Sequence, residues 1–283
     1  RKLMREKRYS RYIRESILIV SVLSVLFISV KAMQPPPQNP NVKIIELKQA
    51  GSLVKRAHTE AKVFLDSVIF YHEGAYMYCD SAYLFDETNT FEAFSNVVIE
   101  QGDTLFIYGD YLHYDGYTRL ARLRDNIRME DNQATLFTDS LNYDRVANLG
   151  YYFDGGMLVD EDNELTSFWG QYDPESKDAL FSNTVKLINE NFTIYSDTLK
   201  YNTETKVADI LGPSTIVSDS GYIETSHGWY NTETEDAKLF NRSRIYSSDT
   251  TKVLVGDTIL YNRFSGIADV YGNMYMEDFV QKA

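Results

Sequence analysis

The sequence predicts an all-β, repeat-built protein, and three observations carry that prediction. First, the aromatic that closes each Asp-x-Leu-x-Tyr phrase recurs at Phe85, Tyr114, Tyr143, Tyr172, Tyr201, Tyr230 and Tyr261, in steps of 29 residues with a last step of 31. Second, two more columns keep this period. One is small and lies seven positions after the aromatic: Ala121, Gly150, Ala179, Ala208, Ala237 and Ala268, with Ala93 one position off. The other is aliphatic or Met and lies about seven positions before it: Met77, Ile107, Leu136, Leu165, Ile194, Ile223 and Leu254. Third, each unit ends in a short alternating stretch, such as Asn96-Val97-Val98-Ile99 or Asn126-Ile127-Arg128-Met129, followed by an acidic or polar turn such as Glu130-Asp131-Asn132. Such alternation between turn signals reads as strand–turn–strand. A fixed period of this size marks a stacked repeat architecture.

Taken in order, residues 1–15 hold seven Lys/Arg against two acids, and residues 16–30 (SILIVSVLSVLFISV) are uncharged and apolar. Val30-Lys31-Ala32 then places small residues where a signal peptidase reads. Residues 1–32 are therefore expected to be one apolar helix, serving as a signal peptide or as an N-terminal membrane anchor. The fifteen-residue run is short for a bilayer span of about 20 residues. Residues 33–43 contain Pro35-Pro36-Pro37-Gln38-Asn39-Pro40, a stiff extended linker. Residues 44–47 and 63–70 read as an incomplete opening unit. The body, residues 44–280, then runs through about seven to eight repeats of two strands each.

A 29-residue unit is short for a propeller blade of about 40–45 residues. The expected architecture is an elongated, open-ended β-jelly roll of two facing antiparallel sheets, each repeat adding one rung to each sheet. About eight rungs at roughly 4.8 Å give a body about 38 Å long, with the aliphatic column inside.

Composition narrows the function. Hydrophobic residues make up 43%, enough for a sizeable core. The net charge is −13, but residues 16–283 hold 21 basic and 39 acidic residues, so the body carries −18. A surface this acidic excludes nucleic acid as a partner held through its phosphates. The one cysteine, Cys79, excludes a disulfide framework and a CxxC site, and the four histidines have no metal-ligand spacing. There is no P-loop. No catalytic, metal or cofactor residues are assigned, and the chain is not expected to be an enzyme.

The phrase Gly256-Asp257-Thr258-Ile259-Leu260-Tyr261, followed by Ala268 and Gly272-Asn273-Met274, resembles the signature of the OstA/LptA-like family of lipopolysaccharide transport. Gly109-Asp110-Tyr111-Leu112-His113-Tyr114 and Phe94-Ser95-Asn96-Val97-Val98 repeat parts of it. The pattern departs where Phe168 and Ser226 replace the Asp, and those two rungs are expected to be irregular. The resemblance implies a periplasmic jelly roll that binds the lipid A acyl chains of lipopolysaccharide in an apolar groove. It also implies a bridge component partnered by other jelly-roll components, head to tail, and by inner and outer membrane transport proteins. The alternatives are a membrane-anchored, LptC-like component of the same machine, a β-solenoid surface or structural protein, and a polysaccharide lyase or hydrolase.

The candidate groove lining is the aliphatic column, Met77, Ile107, Leu136, Leu165, Ile194, Ile223 and Leu254. The candidate assembly edges are Ile44 and Leu47 at one end and Met274 and Met276 at the other, because open strand edges recruit further strands. The Asp column (Asp80, Asp110, Asp139, Asp197, Asp257) is expected to be solvated strand starts, and Asp160-Glu161-Asp162 a solvated loop. The Tyr column is expected to be a packed aromatic ladder, and Cys79 a small strand residue.

Overall fold

The computed structural model describes residues 43–55 and 59–278. The expected N-terminal helix and most of the proline-rich linker lie outside the described residues. Within them every regular element is a strand and every pairing is antiparallel. Short β1 (Glu46–Gln49) and β2 (Ser52–Val54) precede six long strands: β3 (Lys62–His72), β4 (Ala75–Phe85), β5 (Thr90–Gln101), β6 (Leu105–Asp115), β7 (Leu120–Glu130) and β8 (Thr135–Asp144). Then the strands split near their midpoints, as β9 (Leu149–Tyr152) with β10 (Gly156–Val159) and β11 (Glu164–Ser167) with β12 (Trp169–Tyr172). The unbroken β13 (Asp178–Ile188) and β14 (Phe192–Asn202) are followed by β15 (Val207–Ile210) with β16 (Ser214–Ser218), β17 (Gly221–Thr225) with β18 (Gly228–Asn231), and β19 (Ala237–Leu239) with β20 (Ser243–Ser247). Last come β21 (Lys252–Gly256) with β22 (Thr258–Asn262) and β23 (Ile267–Tyr271) with β24 (Tyr275–Asp278).

The midpoint is a built bend. Asp66-Ser67, Ser95-Asn96, Asp125-Asn126, Asn183-Thr184 and Asn241-Arg242 each hold two successive residues at positive φ. The pairing register shifts at the first four of these pairs. Such bulges turn a strand sharply, so each strand passes from one sheet into a second. The Asp column sits at this turn, in mid-strand rather than at strand starts as expected. Asn96 Nδ2 donates to Asp80 at 2.7 Å and Asn273 Nδ2 to Asp257 at 2.6 Å; Asn126 does the same to Asp110. The Gly-Asp … Gly-Asn phrase thus encodes a capped bend. Phe168 and Ser226, which lack the carboxylate, fall at interrupted strands, but so do other midpoints of the C-terminal half.

The strand halves form two ribbons. In one, β8 is followed by β10, β11, β13, β14, β16, β17, β20, β21 and β24. In the other, β8 is followed by β9, β12, β13, β14, β15, β18, β19, β22 and β23. With the opening strands, each ribbon has sixteen strands: two for each of seven repeats and two for the opening unit. Each repeat therefore adds two strands to each ribbon, not one. The expected length of about 38 Å becomes about 72 Å for fifteen steps of roughly 4.8 Å.

The ribbons face one another across a single core. The first ribbon lines it with a continuous cross-strand column running Phe70, Met77, Ile99, Ile107, Met129, Leu136, Leu158, Leu165, Leu187, Ile194, Ile216, Ile223, Ile245, Leu254. We call it the aliphatic ribbon. The second alternates large and small: Tyr114, Ala121, Tyr143, Gly150, Tyr172, Ala179, Tyr201, Ala208, Tyr230, Ala237, Tyr261, Ala268. Each small residue leaves room for the rings beside it, which makes the alternation a packing requirement. The first repeat has one extra residue, so Leu84 and Phe91, which pair with each other, take the places expected for Phe85 and Ala93, and Phe91 pairs on with Tyr114.

Candidate functional site

The interior is an elongated, packed apolar core with a bend along one side and a seam of facing turns along the other. Along the seam the tyrosine ribbon is bonded to the turns of the aliphatic ribbon at every repeat from Tyr114 to Tyr201. The Tyr114 hydroxyl donates to His72 Nδ1 at 2.8 Å, while His72 Nε2 donates to the Lys43 carbonyl at 3.1 Å. Gln101 Nε2 donates to Tyr143 Oη at 2.9 Å. Tyr172 Oη donates to Asp131 at 2.7 Å, and Tyr201 Oη to Asp160 at 2.6 Å. Lys177 and Lys206 complete the last two sites, each 2.9 Å from the same carboxylate oxygen. Arg145 ties the first repeats together, donating to the His72 and Glu73 carbonyls, Gln101 and Tyr114.

Burial dominates the electrostatics here. It pushes the Tyr172 and Tyr201 hydroxyls far above the ordinary phenol range, and their bonds to carboxylates add to the effect. Burial also lowers His72, which is held neutral. Among the described residues no buried side-chain polar atom lacks a partner, as a seam of this kind requires. Asp160 was expected in a solvated loop. Its carboxylate is instead fully buried and bonded to Lys206, Tyr201 and Asn163.

At the N-terminal end the interior is covered. The buried Ile45 donates its N–H to Asn89 at 3.0 Å. At the C-terminal end, among the described residues, the interior column is only partly covered at Ile223 and Leu254. At 29-residue steps beyond Asp160 stand Asn189, Ser218 and Ser247, and beyond Lys206 stands Glu235. The charge pairs that close the seam are therefore not repeated. Among the described residues the last bond across the seam is Asn191 Nδ2 to Glu235 at 3.1 Å. Beyond it a cavity of about 220 Å³ is lined by Ile216, Ile223, Ile245, Leu254, Tyr230 and Tyr261, with the Arg263–Glu235 ion pair (3.2 Å) at its rim.

The seven residues expected to line a groove all lie on the interior column. Met77, Ile107, Leu136, Leu165 and Ile194 are at most 1% exposed. Ile223 and Leu254 are only partly buried and line the C-terminal cavity. Leu47, paired with Phe70, and Met276, paired with Leu254, are the two ends of the same column. Ile44 and Leu47 near the first strand, and Met274 and Met276 near the last, are all exposed. The expectation missed the intervening members Ile99, Met129, Leu158, Leu187, Ile216 and Ile245. It also missed the seam residues His72, Gln101, Asp131 and Asp160. Both sets recur at 29 or 30 residues, so the period itself was the signal. Cys79 is a buried strand residue whose thiol is pushed up to about 12 by burial.

The described residues thus form two antiparallel ribbons around one elongated apolar interior. The OstA-like protein family matches residues 42–197, and the chain belongs to that family. Among solved structures it is similar to LptH, the LptA homologous periplasmic component of the conserved lipopolysaccharide transport device from Pseudomonas aeruginosa. The two share 16% identity over 46% of this chain and 76% of that one, with a TM-score of 0.21. No curated protein matches the chain in sequence.

Proposed function

We propose that the chain is a periplasmic component of lipopolysaccharide transport that takes lipid A acyl chains into its interior through the C-terminal mouth. It is a non-enzymatic carrier, linked end to end with other jelly-roll components toward inner and outer membrane proteins. Family membership and the repeated OstA/LptA-like signature support the transport role. The observation that carries the reading is the mouth itself, where the aliphatic column stops being sealed and Ile223 and Leu254 border a cavity. Each buried methylene contributes about 0.8 kcal/mol, so ten give roughly 8 kcal/mol without any chemical step. Residues of the sealed part, such as Ile107, meet lipid only if the ribbons separate.

The test is a photoreactive residue at Ile223 or Leu254, with Lys200 as the control. Crosslinking to lipopolysaccharide in cells at the mouth and not at Lys200 supports the proposal. Equal crosslinking at all three positions removes the mouth assignment.

A further inference from the structure

A second site lies on the opposite face of the aliphatic ribbon. Thr166, Lys186, Tyr195, Thr215, Glu224 and Arg244 form one cross-strand row. They alternate with the interior residues Leu165, Leu187, Ile194, Ile216, Ile223 and Ile245, so the row faces outward. Together with the bend residues Thr184, Pro213, Ser226 and Arg242 it lines an open groove of about 860 Å³.

The repeat explains why the groove is here. The bends at Asn183-Thr184 and Asn241-Arg242 are the two whose Asp partner is replaced, by Phe168 and Ser226. At Asn96, Asn126 and Asn273 the second bend residue is capped by that Asp. At the equivalent place stands Arg242, held at a φ of 62° and exposed. Among the described residues neither Arg242 nor Lys186 makes an ion pair. Lys186 lies 5.8 Å from the centre of the Tyr195 ring. Arg244 has only a loose, half-exposed contact with Glu224 at 3.8 Å. Three cations against one acid thus converge in a groove on a body that carries −18.

We propose that this groove binds an anionic oligosaccharide. Its sugar rings would lie on the hydroxyl row of Thr166, Thr184, Thr215 and Ser226 and against the half-exposed Tyr195 ring. Its phosphate or carboxylate groups would meet Lys186, Arg242 and Arg244. Cations on a hydroxyl-rich floor suit this chemistry. The floor is too polar for acyl chains, and the acidic body disfavours the dense charge of nucleic acid. The site is separate from the lipid mouth and does not depend on it.

The test is titration of the full chain, by calorimetry at low salt, with four probes. These are deacylated phosphorylated lipopolysaccharide oligosaccharide, trigalacturonate, maltotriose and inorganic phosphate. Binding of either anionic saccharide, at least fivefold tighter than maltotriose and phosphate, supports the proposal. The deacylated probe alone points to a lipid-borne glycan, and trigalacturonate alone to a free uronic polymer. R242Q and R244Q should each weaken that binding about five- to tenfold with unchanged melting, and Y195A should weaken it for saccharides while leaving any phosphate binding alone. Binding no tighter than phosphate or maltotriose, or untouched by R242Q and R244Q, overturns the proposal. Should R242Q melt early, K186Q, which leaves the bend intact, provides the same comparison.

Discussion

The Tyr201 hydroxyl donates to the Asp160 carboxylate at 2.6 Å, across a seam that joins residues 41 apart in sequence. Lys206 approaches the same oxygen at 2.9 Å, and Asn163 donates to the other at 3.1 Å. The Asp160 side chain is fully buried and that of Lys206 only 14% exposed. The arrangement therefore locks the two ribbons only while every member is present.

Asp160→Asn should cost about 3–5 kcal/mol, because it leaves the Lys206 ammonium buried without its counter-charge. Asp160→Leu combined with Lys206→Met should recover most of that loss, since no isolated charge remains. Urea denaturation of the two variants decides it. A double variant no more stable than the single one would show that the pair does more than neutralise itself.

His72 gives the seam a pH dependence. Its folded pKa lies below the ordinary imidazole value, through burial first and then the nearby Arg145 and Arg119, against the opposing pull of the Lys43 carbonyl and Glu73. Below about pH 6.5 the unfolded chain binds a proton that the folded chain refuses. The His72 contribution is thus fully present above that pH and lost as pH falls toward the folded pKa. His72→Gln should flatten the slope of melting temperature between about pH 6.5 and pH 5 relative to wild type. An unchanged slope would assign it to other groups.

The bend can be tested at Asn126, which holds a φ of 53° and caps Asp110. Asn126→Gly keeps the backbone conformation at no steric cost, and Asn126→Val does not. The valine variant should melt with a loss of about 1–3 kcal/mol more than the glycine variant. Equal losses would mean that the Asp110 cap, not the backbone, sets the bend.

The legibility of the fold follows from the same residues. Repeat count, strand direction and the interior column were readable because Met77 through Leu254 must all be apolar to fill one core. The doubling of strands per ribbon was hidden. A mid-strand bend capped by Asn and Asp carries the same residue types as a turn between strands. The seam was hidden for a related reason. Asp131 and Asp160 sit in acidic, turn-like stretches, and only their partners Tyr172 and Tyr201, 41 residues on, reveal that they are buried. The mouth depends on charges that fail to recur at Ser218 and Glu235, and a repeat is easier to see than its interruption.

Packing under Tyr152 gives a sharp local test. A Cβ added to Gly170 would lie 2.5 Å from the Tyr152 ring and 2.4 Å from its hydroxyl, which is itself bonded to Ser167 at 2.6 Å. A Cβ at Gly156 would meet the same ring at 2.7 Å, so the ring is flanked by two glycines, and Gly170→Ala should destabilise by about 1–3 kcal/mol through overpacking. Adding Tyr152→Phe removes one constraint but not the clash, and should not restore stability in thermal melts.

The ends of the aliphatic column make the assembly prediction. Leu47 and Met276 terminate one continuous cross-strand row, yet both are exposed, Met276 to 64%. Strand β1 pairs with β3 and β24 with β21, and the apolar column runs out onto the exposed Leu47 and Met276 side chains. Stacking a second copy, or a related jelly roll, on these two ends would continue the apolar column across the junction. A lysine on such an edge is the natural device against pairing, because its charge would be buried by an incoming strand. Met276→Lys is therefore expected to leave the melting temperature within a degree or two, since the side chain is already in water. It should nevertheless lower the weight-average mass in light scattering over a concentration series, and Leu47→Lys should do the same from the other end. A mixture of the two variants offers one unaltered end of each kind and should still form head-to-tail pairs, whereas each variant alone should not. If wild type and both variants are equally monomeric, and none binds another jelly roll, the ends are not assembly edges and the chain carries its lipid alone.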